Sequence, residues 1–308
     1  MGLRRRIWNA ARVLAGRSPV GPPTPPPLAD GHLLAGRRAL VTGSGRNIGK
    51  AIAFEMARQG ARIVLNDRCP DALREAAREA RESGLDATAV LADISDPASV
   101  DALMAEVQAT GGCDILVNNA ATLLPHDHPE PLDDDLWRRI YETNVFGPVR
   151  LTRLWAAQLV QRGAPGVALF ISSTHARVTF GAPSYSTSKA AIEHLVQELA
   201  VSLAPHGIRV NGIAPGYVAP DSAGGPLPHD IGLLYHSTVP ASFVGRAAVV
   251  LACETLSAHT TGTTLVVDSG VSALSYLTAA VQGARAEGRV TPTEDYPSEQ
   301  GRCFEVRR

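Results

Sequence analysis

Lysine is nearly missing from this 308-residue chain: only Lys50 and Lys189 occur, so 27 of its 29 basic residues are arginine. Net charge is nearly missing too, at −1, which removes any general pull toward nucleic acid or an anionic membrane. No apolar run reaches the length of a transmembrane helix, so no membrane span is expected. There is no CxxC pair among Cys69, Cys113, Cys253 and Cys303. Scattered thiols of this kind read as free cysteines of a reducing compartment, the cytoplasm, rather than a disulfide framework. Acid is absent before Asp30, while "MGLRRRIWNAARVLAGRSPV" carries five arginines. The plain reading of that segment is a mobile tail; association with a membrane or partner surface, or a targeting role, stays open. Its apolar stretch is too short and interrupted for a secretory signal, and Gly2 lacks the Ser or Thr at position 6 that myristoylation needs.

What is present is alternation. After the Pro-rich linker "PVGPPTPPPLADG", short β-branched runs take turns with longer amphipathic segments. The runs "RALVT", "RIVLND", "TAVLAD", "DILVNNA", "VALFISS", "IRVNGIA" and "TTLVVDSG" read as about seven strands. Between them fall helical stretches such as "IGKAIAFEMARQG" and "DALREAAREARESG", another from Pro97, one around Trp137 to Leu159, and one from Val244 to Leu256. Strand–helix–strand repetition requires parallel strands joined by right-handed crossovers, and continuous apolar strands fit a sheet covered on both faces. The expectation is one doubly wound α/β domain over residues 34–274. A basic segment and linker precede it at 1–33, and a polar tail follows at 275–308. An apolar content of 45% suffices for its core, and no internal repeat is visible.

The stretch "LVTGSGRNIGKAIA" puts glycines between the first strand and the first helix. Small residues there let the backbone approach a pyrophosphate, and the helix N-terminus offers amide donors. Asp67 ends the second strand, 18 residues past Gly49, where a carboxylate accepts from both ribose hydroxyls and repels a 2′-phosphate. That favours NAD. Arg46 argues for NADP, since a guanidinium in this loop can bind the phosphate. Lys189 stands four residues after Tyr185 in "SYSTSKAAIEHL", on the same helical face. A phenol near pKa 10 is a poor base at neutral pH, and an ammonium beside it favours the phenolate.

Taken together, "TGSGRNIG", "LADI", "NNAA", "TNVFG", "YSTSK" and "APG" resemble the short-chain dehydrogenase/reductase family, single-domain type. Their order and spacing match over roughly Leu40 to Gly270. The nearest resemblance is to 3-oxoacyl-carrier-protein reductase-like and sugar-dehydrogenase-like members. It implies a Rossmann-type sheet and an NAD(P)-dependent oxidoreductase interconverting a secondary alcohol and a ketone. It also implies a small-molecule substrate and a homodimer or homotetramer paired through the 144–159 and 185–203 helices. Carried onto this sequence, the cofactor would meet Gly43, Arg46, Asn47, Ile48, Gly49 and Asp67 at the first turn. Asp93 and Ile94 would flank the adenine, Asn119 and Ala120 the ribose, and Pro215, Gly216 and Val218 the nicotinamide end. Asn118 would brace the central strands. Tyr185 would be the general acid/base, with Lys189 holding the nicotinamide ribose. Asn144 would hold a water between the lysine and solvent, and a serine would bind the substrate oxygen. Counting thirteen residues back from the tyrosine reaches Ser172; matching the strand end selects Ser173 with a loop one residue shorter, and Ser173 is preferred.

Departures from the pattern are also visible. Asn47 stands where the middle glycine of TGxxxGxG belongs, though Asn tolerates a left-handed backbone. Pro220 replaces a threonine expected to contact the nicotinamide. The segment from Asp221 to Arg246 is a shortened, Gly/Pro-rich substrate lid, with His229, Tyr235 and His236 as candidate contacts. The cluster His126, Asp127, His128 reads as solvent- or substrate-facing rather than as a metal site. Two other readings remain: a catalytically weakened dinucleotide-binding regulatory protein, and a lyase or epimerase using the same Tyr–Lys pair. The second would normally need a larger C-terminal domain.

Overall fold

Seven parallel strands form one sheet in the order β3-β2-β1-β4-β5-β6-β7. They are β1 Arg38–Thr42, β2 Arg62–Asp67, β3 Ala87–Leu91, β4 Ile115–Asn118, β5 Gly166–Ile171, β6 Ile208–Pro215 and β7 Thr264–Val267. The computed structural model describes residues 31–122, 134–179, 181–218 and 238–273. The chain divides into two compact units. The larger, Pro26–Ala223 with Val239–Val267, holds the whole sheet; the smaller is Met1–Pro25, Gly224–Thr238 and Asp268–Arg308. Within the smaller unit the Asp268 carboxylate accepts from the Gly270 and Ser272 amides and closes a short turn.

The helices of the larger unit are α1 Asn47–Arg58, α2 Pro70–Glu82, α3 Pro97–Ala109, α4 Asp134–Tyr141, α5 Gly147–Arg162, α6 Pro183–Leu203, α7 Ala241–Ala252 and α8 Glu254–Ser257. Their starts follow local chemistry. Pro97 fills the first turn of α3, and the Asp96 carboxylate accepts from the Ala98 amide. Alternation along each strand sends successive side chains to opposite faces. Val41, Leu65 and Val117 pack with Ile52, Met56 and Val244 of α1 and α7. Leu40, Val64 and Leu116 pack with Leu103, Leu151, Trp155 and Ile192 of α3, α5 and α6. Trp155 is fully buried and donates to the Cys113 carbonyl at 3.1 Å. Truncating such a side chain to Ala costs about 3–5 kcal/mol.

Three details depart from the sequence expectation. The helix expected around Trp137 to Leu159 is interrupted by a π-helical turn, Glu142–Phe146, centred on Asn144. The helix expected from Val244 to Leu256 breaks at Cys253, whose extended backbone separates α7 from α8. β3, at the sheet edge, is covered on neither face throughout, and Leu91 is 57% exposed. The strand order reverses between β1 and β4, so a crevice opens beyond their C-terminal ends, the usual ligand position in open α/β sheets.

Candidate active site

A cavity of about 340 Å³ occupies that crevice. Gly43, Arg46, Asn47, Ile48 and Gly49 line it from the first turn, Asp67 and Arg68 from the end of β2, Asp93 and Ile94 from beyond β3, and Asn119 and Ala120 from beyond β4. The turn is built for close approach. Gly43 has φ +62°, and a Cβ there would stand 2.8 Å from the Ala120 Cα. A Cβ on Gly49 would stand 2.1 Å from the Gly43 carbonyl oxygen. Asn47 takes φ +48°, so the residue replacing the expected glycine holds the left-handed conformation a glycine would supply. A turn whose Gly43 and Gly49 leave the backbone open to close approach at a helix N-terminus fits a pyrophosphate.

The Asp67 side chain is buried, accepting from the Gly45 amide at 3.0 Å and the Cys69 amide at 2.9 Å. Each oxygen keeps a free lone pair. Arg68 lies 3.8 Å from Asp93, whose Oδ1 accepts from the Ser95 amide and hydroxyl. Asn119 donates to the Thr42 and Gly43 carbonyls, while Thr42 Oγ1 accepts from the Asn119 and Ala120 amides. Thr42, at the last position of "RALVT", is a site-building residue that sequence reasoning missed. Asn118 donates to Thr152 of α5, so it ties β4 to a helix rather than bracing strand to strand.

A second cluster stands beyond β5. Tyr185 lies in the first turn of α6 and Lys189 one turn later. Lys189 is 3% exposed; its Nζ donates to the Ile171 carbonyl at 2.7 Å and stands 5.6 Å from the Tyr185 ring centre. Burial pushes that ammonium down to about 8. Burial also raises the Tyr185 phenol above its usual value, and a hydrogen bond with the Ser173 hydroxyl opposes the rise. Ser173, just past β5, accepts from the His175 amide at 3.2 Å. The His175 ring meets Tyr185 edge-on at 5.1 Å, with Nδ1 3.2 Å from Ser186 Oγ. Ser172 points elsewhere, toward the Lys189 carbonyl and Glu193. Of the two serines, Ser173 reaches the phenol.

Asn144 is buried in the π-turn. Its Nδ2 donates to the Thr122 carbonyl at 3.1 Å and to Ser188 Oγ at 3.0 Å, and its Oδ1 accepts from the Thr122 amide at 2.7 Å. Both amide protons are therefore used to join the end of β4 to α6. Pro215 ends β6, the Gly216 amide donates to the Val267 carbonyl, and Val218 bridges Val239; like Tyr185 and Lys189, the three are not among the residues lining this cavity. Pro220, His126, Asp127, His128, His229, Tyr235 and His236 lie outside the described residues. Among the described residues no His/Cys/Asp/Glu group could hold a metal, and no helix is long and apolar enough to cross a membrane.

The fold and these two clusters define a dinucleotide-dependent α/β oxidoreductase. The chain matches the family model described as short chain dehydrogenase over residues 37–226 and belongs to that family. It is 35% identical over 250 residues to the 7alpha-hydroxysteroid dehydrogenase of Escherichia coli (strain K12), an alignment covering 79% of this chain and 96% of that protein. Its fold is similar to a gluconate 5-dehydrogenase from Burkholderia cenocepacia solved in complex with NADP and tartrate. The TM-score is 0.69 and the identity 31%, over 80% of this chain and 99% of the other. It is also similar to a 3-oxoacyl-[acyl-carrier protein] reductase with bound NAD from Brucella melitensis. There the TM-score is 0.73 and the identity 26%, over 83% and 98% of the two chains. The protein is an NAD(P)-dependent enzyme acting on CH–OH groups.

Proposed function

We propose that the enzyme interconverts a secondary alcohol and a ketone with Tyr185 as the general acid/base. The observation carrying this reading is Tyr185 one helical turn from buried Lys189, whose Nζ stands 5.6 Å from the phenol ring centre, with Ser173 just past the end of β5. In oxidation Tyr185, as phenolate, takes the carbinol proton while the C–H electron pair leaves as hydride and the C=O bond forms; in reduction Tyr185 returns the proton. Bound at the glycine turn, the nicotinamide cofactor supplies the hydride acceptor or donor. Ser173 donates to the substrate oxygen as its charge develops. The Lys189 ammonium favours the phenolate against the burial that disfavours it. Asn144, its side chain engaged with Thr122 and Ser188, acts by setting the end of β4 against α6.

NAD is the proposed cofactor, because a 2′-phosphate would meet the buried Asp67 carboxylate; Arg46 on the same cavity is the group that would favour NADP. The proposed setting is the cytoplasm, with a homodimer or homotetramer paired through α5 and α6. Attachment to a surface through the arginine-rich N-terminal segment is the further partner reading. Calorimetric titration of NADH and NADPH into the protein and into Asp67→Ala tests the cofactor site. NADH is expected to bind the parent more tightly, with the preference falling about tenfold or more in the variant, a change of about 1.4 kcal/mol. Preference of the parent for NADPH would reassign the ribose contact to Arg46. Binding of neither would remove the oxidoreductase reading of this site.

A further inference from the structure

Ser173 belongs to a six-residue segment, 172–177, whose two ends are held by one carboxylate. At its start, buried Ser172 Oγ lies 3.2 Å from Glu193 Oε1 and 3.3 Å from the Lys189 carbonyl. At its end, Arg177 Nε donates to both Glu193 oxygens at 3.1 and 3.0 Å, and its terminal nitrogen reaches the Thr264 carbonyl at the start of β7. Glu193 stands on α6, one turn beyond Lys189 and two beyond Tyr185, so the three share a helical face. Between the anchors, Ser173 Oγ accepts from the His175 amide and meets the phenol.

An ion pair with a side chain as open as Arg177, 39% exposed, adds little stability by itself. Its value here is geometric. A hydrogen-bonding group misplaced by about 1 Å costs on the order of a hundredfold in rate, so a segment carrying one needs support from packed or bonded neighbours. Arg177 and Ser172 converge on Glu193 from opposite ends of the segment, and Glu193 is rigidly tied to the helix carrying the other two groups. We infer that Glu193 is a positioning residue, clasping the 172–177 segment so that Ser173 is set against Tyr185 and Lys189. The inference rests on the proposed roles of Ser173 and Tyr185.

The test is ¹³Cζ-tyrosine NMR of the full chain at one fixed pH, with the Tyr185 signal assigned among six tyrosines by Tyr185→Phe. Ser173→Ala removes the hydroxyl partner and shifts the Tyr185 signal. Glu193→Ala is expected to shift it in the same direction by at least half as much and to add nothing in the Ser173→Ala background. Glu193→Gln, which still accepts from both neighbours, is expected to restore most of the parent signal. A Glu193→Ala spectrum matching the parent, or a shift that adds fully to that of Ser173→Ala, overturns the clasp. A Ser173→Ala spectrum matching the parent would instead remove the Ser173–Tyr185 contact beneath it. Where Glu193→Ala fails to fold, Arg177→Met severs the half-exposed end of the same clasp and is judged by the same two outcomes.

Discussion

Lys189 and Lys50 show how differently one residue type can be used. Lys50 makes a half-exposed ion pair with Glu79 at 3.2 Å, the kind of contact worth at most about 1 kcal/mol. Lys189 is sealed between α6 and β5, with the Ile171 carbonyl as its hydrogen-bond partner. Burial lowers its pKa from 10.5 to about 8, so between those values the unfolded chain holds a proton that the folded chain has released. The destabilisation is therefore complete below pH 8 and fades as pH rises toward 10.5, on the order of 3 kcal/mol in all. Lys189→Met should consequently gain stability over the parent near neutrality, less whatever the lost Ile171 hydrogen bond contributed. That gain should shrink steadily above pH 8. Urea unfolding of both proteins at pH 7 and pH 10 measures it, and a pH-independent difference would count against a buried ammonium. A charge kept at such a cost is one the proposed chemistry uses; Lys50 has no comparable burial.

At the scale of elements, the preference for arginine has a physical use. Arg38, 8% exposed at the start of β1, sends one terminal nitrogen to the Val107, Thr110 and Gly112 carbonyls and the other to Thr110 Oγ1. It thereby satisfies the carbonyls that end α3, a fork no single ammonium can reproduce. Arg209 serves the end of α7 in the same way, donating to the Leu251, Ala252 and Thr260 carbonyls. Arg38→Lys should cost about 2 kcal/mol, or about 4–8 °C in Tm for a domain of this size, by orphaning buried carbonyls. NADH affinity should stay within twofold, because Arg38 stands at the opposite end of β1 from the cavity. A Tm drop accompanied by lost cofactor binding would mean that the two ends of the sheet are coupled. The elements themselves were readable in the sequence because most central strands carry a short apolar run, Ala39–Val41 in β1, Ile63–Leu65 in β2, Ile115–Val117 in β4 and Val167–Ile171 in β5, that the sheet buries. The turn glycines, Asp67 and the Tyr185–Lys189 spacing were readable because they depend on local geometry. The π-turn at Asn144 was not, since nothing in "TNVFG" distinguishes one extra residue per turn from an ordinary helix. Nor was the Glu193 clasp, which joins residues 16 and 21 positions apart through a loop.

Over the whole molecule, apolar surface is left where the fold has no use for it. Phe146, at the end of the π-turn, and Val149 and Val160 of α5 are 50%, 37% and 41% exposed, whereas Leu151, Trp155 and Leu159 of α5 fill the core. On α6, Val201 is 77% exposed while Ile192 and Val196 are buried. Single exposed valines need no explanation, but Phe146, Val149 and Val160 lie on one side of this helical run, with exposed Arg153 and Ala157 between them, and leave a partly apolar face. The proposed homo-oligomer would cover that face. Sedimentation equilibrium at micromolar concentration should then return two or four times 32.4 kDa. Val149→Glu, which buries a carboxylate in such an interface and leaves the opposite core face of α5 untouched, should move the protein toward the monomer. The cofactor cavity is lined from the ends of β1, β2, β3 and β4, so the dissociated variant should still bind NADH. A parent that sediments as a monomer removes the interface. A Val149→Glu protein that keeps the parent's mass places the contact on another face.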